Sequence, residues 1–294
     1  MISHIPLPVL EGSRNLLDLP NLSLIQDFTF AGGGCVNQGG RLKTCAENYF
    51  LKWNDEKRFP RMFEAESKGL QLLRQQDVIR IPNVIRNGTS GTYQFLLLEY
   101  IDQKSRSKNY WQALGERLAT LHQRTSTQFG LEHDNYIGSL RQYNEQSPSW
   151  IHFFIEQRLS VQLKLAVDNG LAPGHWRQGF ERLYSRLASI LPQEKPSLLH
   201  GDLWSGNLIT DEKGDPCLID PAVYYGNREA DLAMTKLFGG FERDFYTAYQ
   251  ATFPLQPGYH ERVDIYNLYP LLVHVNLFGG SYVHSVEGIL RTFL

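Results

Sequence analysis

The chain has 294 residues, of which 42% are hydrophobic, 20% charged and 12% aromatic. That composition suits one large or two ordinary globular domains and excludes a disordered chain, a collagen or a coiled coil. Twenty-nine basic against 31 acidic side chains give a formal charge of -2, so no basic field invites nucleic acid or an anionic membrane.

The opening, MISHIPLPVLEGSR, has no basic start, and Pro6 and Pro8 break its only apolar run, which makes a poor signal peptide. Strand-like runs follow at Leu24–Phe30, Arg41–Cys45 and Tyr49–Trp53. Pro60 opens a helical pattern from Arg61 to about Gln76. The runs IPNVIRNG and TYQFLLLEYI read as two more strands, separated by an Asn-Gly/Ser-Gly turn. Five strands and one helix predict an antiparallel sheet with a helix packed on it. Beyond Asp102 the pattern turns helical. Trp111, Leu114, Leu118, Leu121 and His122 share one helix face. Trp150–Asn169 and Phe180–Ile190 are further helices, and LLHGD, GNLIT and PCLID are strand-like interruptions. From Ala230 the chain is helical again. The uncharged stretch Ile265–Val286 is too polar for a membrane span and predicts a buried helix broken near Gly279-Gly280. The boundary falls near residue 101, giving a nucleotide-binding lobe over 1–101 and a catalytic and substrate lobe over 102–294, joined by a direct hinge.

The densest chemistry lies in LLHGDLWSGNLITDEKGDPCLIDP. Asn207 stands five residues after Asp202, and Asp220 ends the return strand of a short hairpin. Phosphoryl transfer from MgATP uses these residue types at this spacing. One carboxylate accepts the proton of the attacking hydroxyl, while an Asn and a second carboxylate hold Mg²⁺. His200 is expected to buttress this loop. The turn DEKGD is only a polar turn.

In the first lobe, Gly32, Gly33, Gly34, Gly39 and Gly40 flank a bend whose backbone can approach phosphates. Neither a P-loop lysine nor a dinucleotide fingerprint accompanies it, whereas a kinase-type lid needs neither. Lys52 sits on the strand YFLKW. Glu66 shares a helix face with Met62, Gly69, Leu70 and Leu73, and Glu64 points the opposite way. A carboxylate on a buried stripe needs a partner, which Lys52 supplies while holding the α- and β-phosphates. Lys43 is the competing lysine. Glu99, Tyr100, Ile101 and Asp102 close the sheet where backbone groups of a two-lobed kinase bind adenine. No H-E-x-x-H, G-x-S-x-G or aromatic-basic cluster points elsewhere.

Taken together, LLHGDLWSGN, IDPAVYYGNREADLAM and the late LFGG resemble the fructosamine kinase (ketosamine-3-kinase) family of the aminoglycoside-phosphotransferase-like group. The resemblance covers nearly the whole chain, and the Trp-Ser-Gly of HGDLWSGN is more specific than the wider group's motif. It implies an α+β, bilobal protein-kinase-like fold and ATP- and Mg²⁺-dependent phosphorylation of the sugar 3-hydroxyl of ribulosamines or fructosamines. Loss of the labile phosphorylated adduct then regenerates the amine, whether on a free glycated amine or a glycated protein. By that likeness Asp202 is the proton acceptor, Asn207 and Asp220 bind metal, and Asp231 braces the catalytic loop. Trp204 lines the sugar pocket or packs the loop. Cys35 is either a small turn residue or a redox-sensitive thiol, so the chain is expected to be a monomer or a redox-dependent homodimer. The cysteines Cys35, Cys45 and Cys217 form no C-x-x-C, which fits a reducing, cytoplasmic compartment without a disulfide framework. The alternatives are a related aminoglycoside- or choline-type kinase and a non-catalytic ATP-binding pseudokinase.

Overall fold

The computed structural model describes residues 4–31 and 37–293. Gly32, Gly33, Gly34 and Cys35, expected in a phosphate-covering bend, lie outside the described residues. The chain divides into two compact units, residues 1–108 with 209–220, and residues 109–208 with 221–294. This differs from a single cut near residue 101, because the segment that follows the Asp202 motif returns to the first unit.

The first unit is built on one antiparallel sheet of β1 (Ile25–Phe30), β2 (Gln38–Thr44), β3 (Asn48–Asp55), β4 (Val84–Ser90) and β5 (Tyr93–Glu99), in the order β1-β2-β3-β5-β4. Leu51, Lys52, Trp53 and Asn54 of the central β3 are all buried, so both its faces are covered. Leu51 and Trp53 join Phe28, Leu42, Phe95 and Leu97 in a core that Val9 and Leu10 of α1 (Leu7–Leu16) complete. Pro6 and Pro8 do not disrupt this segment. They occupy the cap and the second helical position, where a missing N–H costs no intrahelical bond. On β3, Asn54 donates to the sulfur of Met62 at 3.1 Å, the first residue of α2 (Met62–Arg74). Of the expected Asn-Gly/Ser-Gly turn, Ser90-Gly91 makes the reversal and Asn87-Gly88 stays in β4. Asn87 donates to Ser67 of α2 at 2.8 Å, and the chain reverses at Gly91, which takes φ +62.

The returning segment is a hairpin of β9 (Leu208–Thr210) and β10 (Pro216–Leu218). Asp211 closes its turn by accepting the amides of Lys213 and Asp215, both at 2.8 Å. The Leu218 amide donates to the Arg80 carbonyl at 3.0 Å, which ties the hairpin into the first unit. Burial pushes the Cys217 thiol on β10 up to about 12 and leaves it unreactive.

The second unit is mostly helical: α3 (Tyr110–His122), α4 (Trp150–Phe153), α5 (Ser160–Asp168), α6 (Trp176–Ile190), α7 (Glu229–Leu237), α8 (Arg243–Thr252), α9 (Tyr259–Phe278) and α10 (Ser281–Leu290). The helix expected over 150–169 carries a π-helical stretch, Phe154–Leu159, between α4 and α5. The buried Arg158 within it lies 4.1 Å from the Tyr224 ring centre and donates to Asn144 at 2.7 Å. Three strands were not legible, β6 (Asn135–Ile137), its partner β7 (Leu140–Gln142) and β11 (Tyr224–Gly226), whereas β8 (Ser197–Leu199), which pairs with β11, overlaps the strand-like LLHGD. Three-residue strands are too short to show a period of two. α9 ends at Gly279-Gly280, both with φ near +60, as the glycine pair suggested. No helix of the described residues is long and apolar enough to cross a membrane.

Close approach of α3 and α8 depends on Gly115, where a Cβ would press into the carbonyl oxygen of Phe245. Gly115→Ala is expected to cost about 1–3 kcal/mol through overpacking. The loss should appear as a lower urea midpoint with an unchanged slope.

Candidate active site

In the first unit, β3 and α2 bring Lys52 and Glu66 together. Lys52 Nζ lies 2.7 Å from Glu66 Oε1 and 2.6 Å from Asp220 Oδ1. The Lys52 side chain is 8% exposed and that of Asp220 44%, so the trio runs from a buried ammonium to a solvent-facing carboxylate. Burial alone would push Lys52 down. The carboxylates of Asp220 and Glu66 overcome it and hold the ammonium above its ordinary value. Burial pushes Glu66 up despite the attraction of Lys52. Asp220 sits at φ +53, a left-handed conformation that Asp tolerates better than most side chains. The competing Lys43 is exposed, and Glu64 pairs on the surface with Arg61 at 2.6 Å and Lys68 at 2.8 Å.

The expected adenine-binding run shows mixed duties. Glu99 pairs with Arg80, accepts the Asn83 amide at 3.0 Å, and gives its own N–H to the Asn83 carbonyl at 2.9 Å. Tyr100 lies 5.8 Å beneath the guanidinium of Arg41, Ile101 is buried and Asp102 is exposed. Glu99 therefore ties the end of β5 to residues 80–83 through its side chain.

In the second unit, β8 delivers the chain into His200-Gly201-Asp202. The buried Asp231, on α7, accepts the His200 amide at 2.8 Å and the Gly201 amide at 2.9 Å. The same carboxylate meets His122 Nε2 at 3.2 Å, and His122 Nδ1 meets the Tyr249 hydroxyl at 2.8 Å. Burial opposes ionisation of Asp231, but these hydrogen bonds outweigh it and hold its carboxyl below the usual value of 3.8. Gly201 takes φ +82, and a Cβ there would collide with the Ala222 carbonyl oxygen. No larger residue fits at that position. The His200 ring is fully buried and its Nδ1 accepts the Asp202 amide at 3.3 Å. Asn207 closes the loop by donating to the Asp202 carbonyl at 2.9 Å and to its carboxylate at 2.8 Å. Asp202 is thus pinned at its backbone from both sides and at its side chain from one.

Sequence reasoning missed two residues of this support. His122 was placed on an apolar helix face, and it is the polar end of that face. Tyr249 carried no signal of its own. Beside Asp231, Arg228 chelates Glu194 at 2.7 and 2.9 Å, and Glu229 chelates Arg262 at 2.6 and 2.7 Å. The run NREAD is therefore a cluster of buried charges, each holding a different neighbour. Trp204 is 37% exposed and packs edge-on against Phe238, at 5.9 Å between ring centres.

A family model described as Fructosamine kinase matches residues 17–294. Over 284 residues the chain is 42% identical to a protein of Lactiplantibacillus plantarum named "Probable ketoamine kinase", covering 95% of this chain and 98% of the relative. A chloroplastic protein-ribulosamine 3-kinase of Arabidopsis thaliana is 41% identical over 90% of this chain and 81% of its own. Among solved structures, one assigned to a fructosamine-3-kinase of Haemophilus somnus superposes with a TM-score of 0.85 at 32% identity, over 92% of each chain. The α+β fold is also that of the aminoglycoside phosphotransferases.

Asp231→Asn replaces one acceptor oxygen by an amide that faces a backbone N–H. At neutral pH it is expected to cost about 2–4 kcal/mol, with a large loss of turnover. A carboxyl held below its unfolded value contributes stability that is present above that value and is lost as pH falls through the folded value. Urea midpoints of wild type and variant should therefore differ by a constant amount from pH 7 to near 4. The difference should shrink below pH 4.

Proposed function

The chain belongs to the fructosamine kinase family, and from that premise we propose that it phosphorylates the sugar 3-hydroxyl of ketosamines and so leads to their deglycation. The enzyme is a phosphotransferase acting on a sugar hydroxyl, with ATP as the donor. The observation that carries the reading is the Asp202 loop. A carboxylate two residues from a buried His, braced by Asp231 and touched by Asn207, is what a positioned proton acceptor requires.

Asp202 accepts the proton of the substrate hydroxyl as that oxygen bonds to the γ-phosphorus and the bond to the β-phosphate oxygen breaks. A positioned base contributes about 10²–10⁴-fold. Asn207 keeps the Asp202 carboxylate from rotating away. Lys52 presents a charge that stays on at neutral pH, and Glu66 fixes its direction. Asn207 offers an amide oxygen and Asp220 a carboxylate oxygen, each a hard donor of the kind that Mg²⁺ takes. When bound, Mg²⁺ neutralises phosphate charge. A glycated amine or glycated protein is the acceptor, and the ribulosamine kinase among the relatives favours testing a ribulose adduct first.

The test is ATP consumption with Mg²⁺ on ribulose-lysine and fructose-lysine adducts, beside kanamycin and choline. Turnover of a ketosamine that falls at least about 100-fold in Asp202→Asn is expected. Turnover of kanamycin or choline alone would replace the acceptor. ATP binding without turnover on any of the four would point to a non-catalytic protein. Lys52→Met should raise the KM for ATP while leaving the acceptor KM near that of wild type.

A further inference from the structure

Among the described residues, six large hydrophobic side chains stay exposed: Leu7, Phe30, Tyr143, Trp204, Phe238 and Phe278. Single exposed hydrophobics are ordinary, whereas contiguous ones mark a binding surface. Trp204, Phe238 and Phe278 are contiguous through His274. Ring centres step 5.9 Å from Trp204 to Phe238 and 4.9 Å from Phe238 to His274. From His274 they step 5.6 Å to Phe278 and 4.9 Å to Tyr282.

The sequence builds this arc with repeated devices. LFGG occurs twice, at 237–240 and 277–280. Each copy ends a helix at or just before an exposed Phe, followed by two glycines of positive φ that turn the chain away. Gly240 lies against Ser205, and a Cβ on Gly206 would collide with the Trp204 ring. The Trp-Ser-Gly run therefore seats the indole at one end of the arc. His274 Nδ1 lies 2.7 Å from the Pro270 carbonyl, which makes it the protonated nitrogen of a neutral ring. Burial pushes His274 down, so the middle of the arc carries no positive charge at neutral pH.

Trp204 stands two residues from Asp202, and its amide donates to the Asp202 carbonyl at 3.2 Å. What lies on the arc is therefore whatever continues from the reacting hydroxyl. Three ring-to-ring steps from Trp204 to Tyr282 are more than one sugar needs. A ketosamine carries a protonated amine beside the sugar, and then the carbon chain of the parent amine. Aromatic faces attract an ammonium and bury methylenes.

We infer that the arc Trp204–Phe238–His274–Phe278–Tyr282 is a subsite for the amine side of the substrate, taking its alkylammonium and carbon chain. This rests on the ketosamine reading above. It makes Phe278 and Tyr282 specificity-determining residues for the parent amine.

The experiment compares kcat/KM for the ribulose adducts of methylamine and n-hexylamine in wild type, Phe278→Ser, Tyr282→Ser and the control Leu7→Ser. Wild type should prefer the hexyl adduct through KM. Phe278→Ser and Tyr282→Ser should each reduce that preference by about 5- to 10-fold, the size of a lost apolar or cation–π contact. Leu7→Ser should leave it intact. Turnover of both adducts with no chain-length preference in wild type overturns the subsite. So does a preference that survives both serine variants. No turnover of either adduct by wild type, or by fructose analogues in parallel, instead overturns the ketosamine reading and the subsite with it.

Discussion

The carboxylate of Asp231 is the constraint on which the second unit's chemistry depends. It is 2% exposed, and a bare carboxylate at such a depth would cost several kcal/mol. Two backbone amides and an imidazole remove that cost, and they are the amides of His200 and Gly201, the residues just before Asp202. The charge thus has its partners only when the loop has one shape. Gly201 allows that shape, because its left-handed φ and its contact with Ala222 exclude a side chain. An imidazole that serves a carboxylate must itself be oriented, and the Tyr249 hydroxyl does this from α8. Local backbone conformation is here set by packed helices through a chain of hydrogen bonds.

The same logic is used differently in the first unit. Lys52 is buried between Glu66 and Asp220, and the two acids are not equivalent. Glu66 is as enclosed as the lysine, so its partner is fixed. Asp220 is nearly half exposed, so part of its contact with Lys52 can yield to a cation at little desolvation cost. A lysine with one permanent and one exchangeable carboxylate stays charged and directed whichever partner Asp220 takes. Arg228 and Glu229 show the fully closed version: bidentate, buried and structural.

The candidate site residues could be named from the sequence because phosphoryl transfer needs few residue types in a fixed order. The spacing of Asp202, Asn207 and Asp220, and a carboxylate at Glu66 on an apolar helix face, carry that order without any view of the fold. What was not legible depends on position rather than type. Pro6 and Pro8 read as breakers, yet a proline's effect depends on whether its N–H would have been bonded, and at a helix start it would not. Asn87-Gly88 and Ser90-Gly91 read as one turn, but only the second pair reverses the chain, while Asn87 stays in β4 and donates to Ser67. The return of residues 209–220 to the first unit has no local signature, since a hairpin looks the same whichever sheet it joins. His122 and Tyr249 are ordinary residues on helix faces until Asp231 is placed beside them.

A division of labour follows between buried charge and exposed aromatic surface. Buried charges tolerate almost no substitution, because each is one half of a pair whose other half would be stranded. They fix the reaction and say little about the acceptor beyond its hydroxyl. The exposed rings around His274 carry no such penalty. Phe278 there can change with only modest loss of stability, since it is about half in water already. Acceptor choice can therefore drift while the Asp202 loop stays fixed. The glycines that shape both regions differ in the same way. Gly201 lies under a carbonyl oxygen that cannot yield, whereas Gly206 lies under an indole that can swing aside. A change at the first disturbs the loop that carries Asp202, and a change at the second shifts the indole within the exposed aromatic surface.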